Sequence, residues 1–158
     1  YQLYRGFDYG VKYSLRNTRY GDFRFNADAT QIFKAGSDSG LGSGFFDNTG
    51  YYFNPRWKGS AGTSWNYKQY GAALTADYTH HYYNDAYTVQ GWGENPYTIM
   101  GGSVRYSGWW NSTITIGASN LLNNRPPTNG RETAGFDPGA YGAGALGRFM
   151  YIRIRKEF

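Results

Sequence analysis

Few residues in this chain could do chemistry. It has two histidines, His80 and His81, and no cysteine. Neighbouring residues on a strand point to opposite faces, so these two imidazoles are not expected to chelate one ion together. With no thiolate and no third histidine, no metal site is expected. Asp77 stands between Thr75 and Thr79 in "YGAALTADYTHHY". A carboxylate there could serve as a general acid or base. The reading preferred is a hydrogen-bond network on a polar sheet face, with the threonine hydroxyls as donors. The Gly-rich "GAYGAGALG" lacks the Gly-Lys-Ser/Thr ending of a phosphate loop and opens no helix. It reads as an external loop. No Ser/His/Asp spacing suggests a hydrolase. The chain is expected to be neither an enzyme nor the holder of a cofactor.

The elements that position these residues are strands, because apolar residues recur at every second position. Phe7, Tyr9, Val11, Tyr13 and Leu15 share one face, opposite Asp8, Lys12, Ser14 and Arg16. Phe23, Phe25, Ala27, Ala29 and Phe33 oppose Arg24, Asn26, Asp28 and Thr30. The same alternation sets Trp57, Ala61 and Trp65 against Lys58, Ser60 and Ser64, and Tyr70, Ala72, Leu74, Ala76 and Tyr78 against Thr75, Asp77 and Thr79. Met100, Val104 and Tyr106 oppose Ser103 and Arg105, and Ile114, Ile116 and Ala118 oppose Thr113, Thr115 and Ser119. The ending "GRFMYIRIRKEF" sets Ile152, Ile154 and Phe158 against Arg153, Arg155 and Glu157. About seven strands result, longer than the usual five or six residues. Tyr and Gly abundance (17 and 23 residues) with no long run of helix formers agrees with β structure.

Charge and hydropathy narrow the class. A net charge of +5 is spread along the chain without a basic run, which argues against nucleic acid. No stretch of about 18 apolar residues could form a membrane helix. The mean hydropathy of −0.69 is also what a transmembrane β-barrel gives, because it needs apolar residues only at alternate positions. In the strands, charges fall on the polar face. The exceptions are Arg148 and Lys156, near the ends of the last strand, where a lipid-side cation costs least. A soluble sandwich alternates too, so the pattern alone leaves both architectures open.

Aromatic spacing and loop length favour the barrel. Trp57 and Trp65, and likewise Tyr70 and Tyr78, lie eight residues apart on one face with small residues between. At about 3.3 Å per residue and a tilt of roughly 40°, that spans on the order of 20 Å, close to an apolar band with an aromatic girdle at each edge. Short connections near 17–21, 66–69 and 107–109 alternate with long ones near 35–54, 84–96 and 120–146. Short periplasmic turns and long external loops are the outer-membrane pattern. The long loops carry Phe45, Phe46, Tyr51, Tyr52, Tyr87 and Trp92, read either as loop packing or as ligand contacts.

"ASNLLNNRPP" followed by "FDPGAYGAGALGRFMYIRIRKEF" resembles the end of TonB-dependent outer-membrane transporters, through Asn120, Leu121, Pro126, Pro127, Asp137, Pro138 and Phe158. Leu122, Asn123 and Phe136 depart from the family's usual residues. "NPRWKGSAGTSWNYKQYGAALTADYTHHYYND" resembles the family's Pro-x-Trp strand, short turn and following strand. The fold this implies is all-β: an antiparallel up-and-down transmembrane β-barrel, of which residues 1–158 are about seven C-terminal strands out of about 22. The plug domain is not in this stretch. The chain therefore reads as a fragment of a longer protein, with a mature N-terminus as the other possibility.

The resemblance further implies an outer-membrane location in a Gram-negative cell and active import of a scarce nutrient, such as an iron–siderophore, cobalamin or an oligosaccharide. Implied partners are outer-membrane lipid and lipopolysaccharide, the rest of the barrel and its plug, the inner-membrane TonB energy-transducing complex, and the barrel-assembly machinery; nucleic acid is not among them. Lys12, Arg24, Asp28, Asp77, Arg105, Arg153 and Arg155 would face the lumen and hold the plug. Ile152, Ile154 and Phe158 would carry barrel closure and the assembly signal. The alternatives are a small complete outer-membrane barrel with a structural or adhesive role, and a soluble β-sandwich that binds carbohydrate.

Overall fold

The computed structural model describes residues 1–42, 44–51, 54–83, 93–126 and 146–157. Seven long strands form one antiparallel meander. They are β1 (Gln2–Thr18), β2 (Gly21–Ser37), β4 (Trp57–Tyr67), β5 (Tyr70–Thr79), β8 (Tyr97–Trp109), β9 (Ser112–Ser119) and β10 (Phe149–Lys156). Their order in the sheet is their order in the chain. The short β3 (Phe46–Asp47) adds to β2, while β6 (Tyr82–Tyr83) and β7 (Gly93–Glu94) pair with each other. There is no α-helix among the described residues. The sheet is open: among the described residues β1 pairs only with β2, and β10 only with β9.

Three consecutive hairpins close on two-residue turns at one end of the sheet, at Arg19 and Tyr20, Lys68 and Gln69, and Trp110 and Asn111. The last of these has φ of 43° and 50°, the pair of positive values that matches the twist of the flanking strands. At the first, Thr18 Oγ1 donates to the Gly21 carbonyl at 2.5 Å and Asp22 accepts from the Asn17 amide at 2.7 Å. The long connections all lie at the other end. This matches the expected alternation, with one correction. The third turn is not at 107–109: β8 runs through Gly108, with a register shift between Tyr106 and Trp109. A glycine that looks like a turn can instead mark a bulge. Arg148 is also corrected, since it precedes β10 and is not one of its residues.

The fully buried part is small and sits at the long-loop end. Tyr82 is 1% exposed and Tyr97 5%, with Ile99 packed against them. The β2–β4 and β5–β8 connections are lashed together there by Tyr83 N donating to the Gly50 carbonyl at 2.9 Å and by a parallel bridge between Tyr51 and Tyr83.

Candidate functional site

The register assigns every strand residue to a face, because directly paired residues share one. One face carries the rows Val11, Ala27, Ala61, Ala76, Met100 and, next to it, Tyr13, Phe25, Thr63, Leu74, Gly102, Ala118, Met150. The following row is Leu15, Phe23, Trp65, Ala72, Val104, Ile116, Ile152. Across these rows there is no charged residue on any of the seven strands. Yet the face is uncovered, with Val11 60%, Leu74 49% and Ile152 70% exposed. An open apolar surface of this extent on a folded sheet marks an interaction with something apolar.

Aromatic rings bound this surface at both ends. Toward the long loops, Tyr9 stacks on Trp57 at 5.9 Å and Phe7 meets Phe33 edge-on at 5.1 Å. Toward the short turns, Tyr70 lies 5.2 Å from Tyr106 and Trp65 stacks on Tyr67 at 6.3 Å. Trp109 stacks on Trp110 at 5.6 Å, and Trp65 Nε1 donates to the Tyr20 carbonyl at 2.7 Å. Ala, Gly and Thr fill the middle rows of β4, as the sequence suggests.

The opposite face holds the charges, and it is divided. Asp8, Asp28 and Asp77, with Lys12 and Lys58 among them, occupy the half nearer the long loops. Arg24, Arg105, Arg153 and Arg155 occupy the half nearer the short turns, with Asp22 in the row of Arg105 and Arg153. All seven expected lumen residues (Lys12, Arg24, Asp28, Asp77, Arg105, Arg153 and Arg155) lie on this face and are exposed. The expected Asp77 network is not formed, because strand neighbours two apart project in parallel and the Thr75 and Thr79 hydroxyls do not turn onto the carboxylate. The hydrogen bonds that do form cross strands: Thr30 Oγ1 to Asp8 at 2.6 Å, and Arg105 Nη2 to Asn66 Oδ1 at 2.7 Å. Tyr151 lies over Gly117, its registered partner, where a Cβ would stand 2.5 Å from the ring. The aromatic ring covers backbone that the glycine leaves bare.

Of the loop aromatics, Phe45 lies back on the sheet, stacked with Tyr1 at 6.1 Å. Phe46 pairs with Ser37, and Tyr51 contacts Tyr83 at 5.6 Å. All three are half-buried. Tyr52, Tyr87, Trp92 and Phe158 lie outside the described residues, as do Pro127, Phe136, Asp137 and Pro138. Ile152 and Ile154 are on the apolar face of β10, as expected, with Lys156 following them on that face at the strand's end.

The histidines are corrected. His80 and His81 follow the end of β5, so strand alternation does not separate them, and their rings approach to 4.2 Å. Tyr78 hydroxyl and His80 Nδ1 are hydrogen-bonded at 2.9 Å. Burial, then His81 and Arg56, hold the His80 imidazole below its ordinary value. Asp47 is likewise held down, by the Thr49 hydroxyl and amide and more weakly by Lys34 and Arg56. The Asp47 carboxylate accepts from Thr49 Oγ1 at 2.6 Å, and Thr49 Oγ1 in turn accepts from Ala35 N at 2.6 Å. No group of three metal-ligating side chains occurs among the described residues.

Sequence reasoning missed Tyr97 and Ile99, apolar residues on the polar face. Tyr82 folding over them from the loop accounts for both. The only signal for them was a break in alternation at the start of β8. Comparison of the chain with protein-family models, curated proteins and solved structures gave no match.

Proposed function

We propose that this chain is a stretch of wall from an outer-membrane β-barrel of the TonB-dependent transporter kind, whose whole protein imports a scarce nutrient. The observation that carries the reading is the apolar face, free of charge across its middle rows on the seven strands and bounded by aromatic rings at both ends. Hydrocarbon is the medium that such a face fits, with the aromatic rings at the two headgroup levels. The polar face would then line the lumen. Its arginines near the short turns would offer a plug a mainly cationic band, and the half nearer the long loops, with three aspartates and two lysines, a mixed one.

Strand direction supports a larger ring. In a seven-strand meander β1 and β10 run the same way, so pairing them with each other would be parallel. An all-antiparallel ring needs an odd number of further strands between them. Two copies inserted in the same orientation would meet the same parallel junction. This favours a longer chain over the small complete barrel. The uncovered face, with no second sheet packed on it among the described residues, weighs against the soluble sandwich.

The test is a charge placed on each face of the full protein. Ala61→Arg, in the middle of the apolar face, is expected to cost about 2–4 kcal/mol of stability in phosphatidylcholine vesicles. Ser60→Arg, one residue away on the polar face, is expected to cost well under half as much. Equal effects at the two positions, or a protein that folds as a soluble monomer without detergent, would refute the membrane reading.

A further inference from the structure

We propose that Arg5 and Lys34 form a binding site for the phosphate of an anionic lipid headgroup, just beyond the aromatic band nearer the long loops. The inference rests on the membrane reading above and adds a specific ligand to it.

The site is created by a bulge. Gly6 pairs with Ile32 and Arg5 with Lys34, leaving Phe33 as an extra residue on β2. Had the register of the lower hairpin continued, Phe33 would stand opposite Arg5. The extra residue sets Lys34 there instead. Arg5 follows Phe7 at the two-residue period, so the pair projects from the apolar side, one step past Phe7.

Two cations directly opposite each other on a sheet repel. Neither makes an ion pair with a described residue. The nearest acid influence is Asp47, whose carboxylate feels Lys34 but accepts its hydrogen bonds from Thr49. One engaged carboxylate is thus set against two cations. The arrangement is also held in place. Lys34 Nζ sits 4.7 Å from the Phe45 ring centroid, and Phe45 is seated over Gly36, where a Cβ would stand 2.6 Å from its Cζ. Lys34 is half-buried and Arg5 exposed. A fixed ammonium beside a free guanidinium fork is a combination that suits a phosphate, with the fork supplying paired donors and the ammonium a point charge.

The surroundings choose a lipid over a soluble phosphate. Directly below lie Phe7 and Phe33, then Tyr9 and Trp57. Further down the same face runs an apolar trough lined by Val11, Tyr13, Phe25, Ala27, Ala61 and Leu74. A headgroup on Arg5 and Lys34 would lay its acyl chains along that trough.

The experiment uses the full protein and its Arg5→Gln, Lys34→Gln and double variants, in vesicles of phosphatidylcholine with and without lipid A. Lipid retention is read by native mass spectrometry, with inorganic phosphate as competitor. Expected is equal insertion into phosphatidylcholine, with the double variant at least as stable there as wild type because the repulsion is gone. The double variant is also expected to bind lipid A roughly tenfold or more weakly. Undiminished lipid A retention by the double variant overturns the proposal. So does binding of inorganic phosphate that lipid A does not improve on. Failure of the wild type to enter phosphatidylcholine would instead refute the membrane reading itself.

Discussion

Asn120 shows how one residue can terminate a strand and hold its neighbours. It is 1% exposed and has φ of 50°, in the left-handed region that Asn tolerates better than most residues. Its amide donates to the Asn124 carbonyl at 2.7 Å and accepts from the Asn124 amide at 2.9 Å. Asn124 in turn donates to the Thr98 carbonyl at 2.9 Å, and Leu121 N donates to the Met100 carbonyl at 2.7 Å. Asn123, also left-handed, accepts from Arg148 N at 3.0 Å, just before β10. Asn120→Ala should therefore destabilise the full protein by about 1–3 kcal/mol in chemical denaturation, since buried partners lose their bonds. Asn120→Gly should lose about 1 kcal/mol less, because it keeps the backbone conformation. The turn-making role of Asn120 was legible from its type and position. That of Asn124 was not, because a polar residue in an aperiodic stretch carries no sign of which carbonyl it will reach.

At the scale of elements, alternation exposed the seven long strands and the faces of nearly all their residues, because apolar side chains recur at every second position. It could not expose β3, β6 and β7, since two residues contain no period. Nor did it show that the loops carrying them are tied together, as the pairing of Gly50 with Tyr83 depends on residues far apart in sequence. This tied region is expected to respond to acid. His80 has a lowered folded value, so its contribution is full above the ordinary imidazole value of 6.5 and is lost as pH falls through the interval below it. Asp47 has the same sign with a lower window: its contribution is full above the carboxylate value of 3.8 and is lost as pH falls toward the folded value. The protection of Tyr83 N and Ala35 N from hydrogen exchange, relative to the intrinsic rate at each pH, should fall in two steps on acidification, with the upper step absent in His80→Gln. A single step unaffected by that substitution would contradict the assignment.

For the whole molecule, the sequence was legible as far as an antiparallel meander. Closure was not, because the residues here determine which edges exist but not what lies against them. Among the described residues no strand adds to the outer edges of β1 (17 residues) and β10 (8 residues), the kind of edge that pairs readily with another strand. On the proposed barrel reading, the amides of β1 that do not bond to β2 should be protected from exchange in the full protein and exposed in residues 1–158 alone. Equal protection in both would mean that the edge is covered in some other way.

The two-residue turns have a kinetic consequence. Each links strands that are adjacent in both sequence and space, so each of those three hairpins can form with little loop-closure entropy. Such local pairing is the fast regime of folding. The long connections close more slowly, and only a junction between the first and last strands of a completed ring would need the whole chain in place. On this account the lower ends of the hairpins form early, and in the proposed barrel ring closure would govern the overall rate.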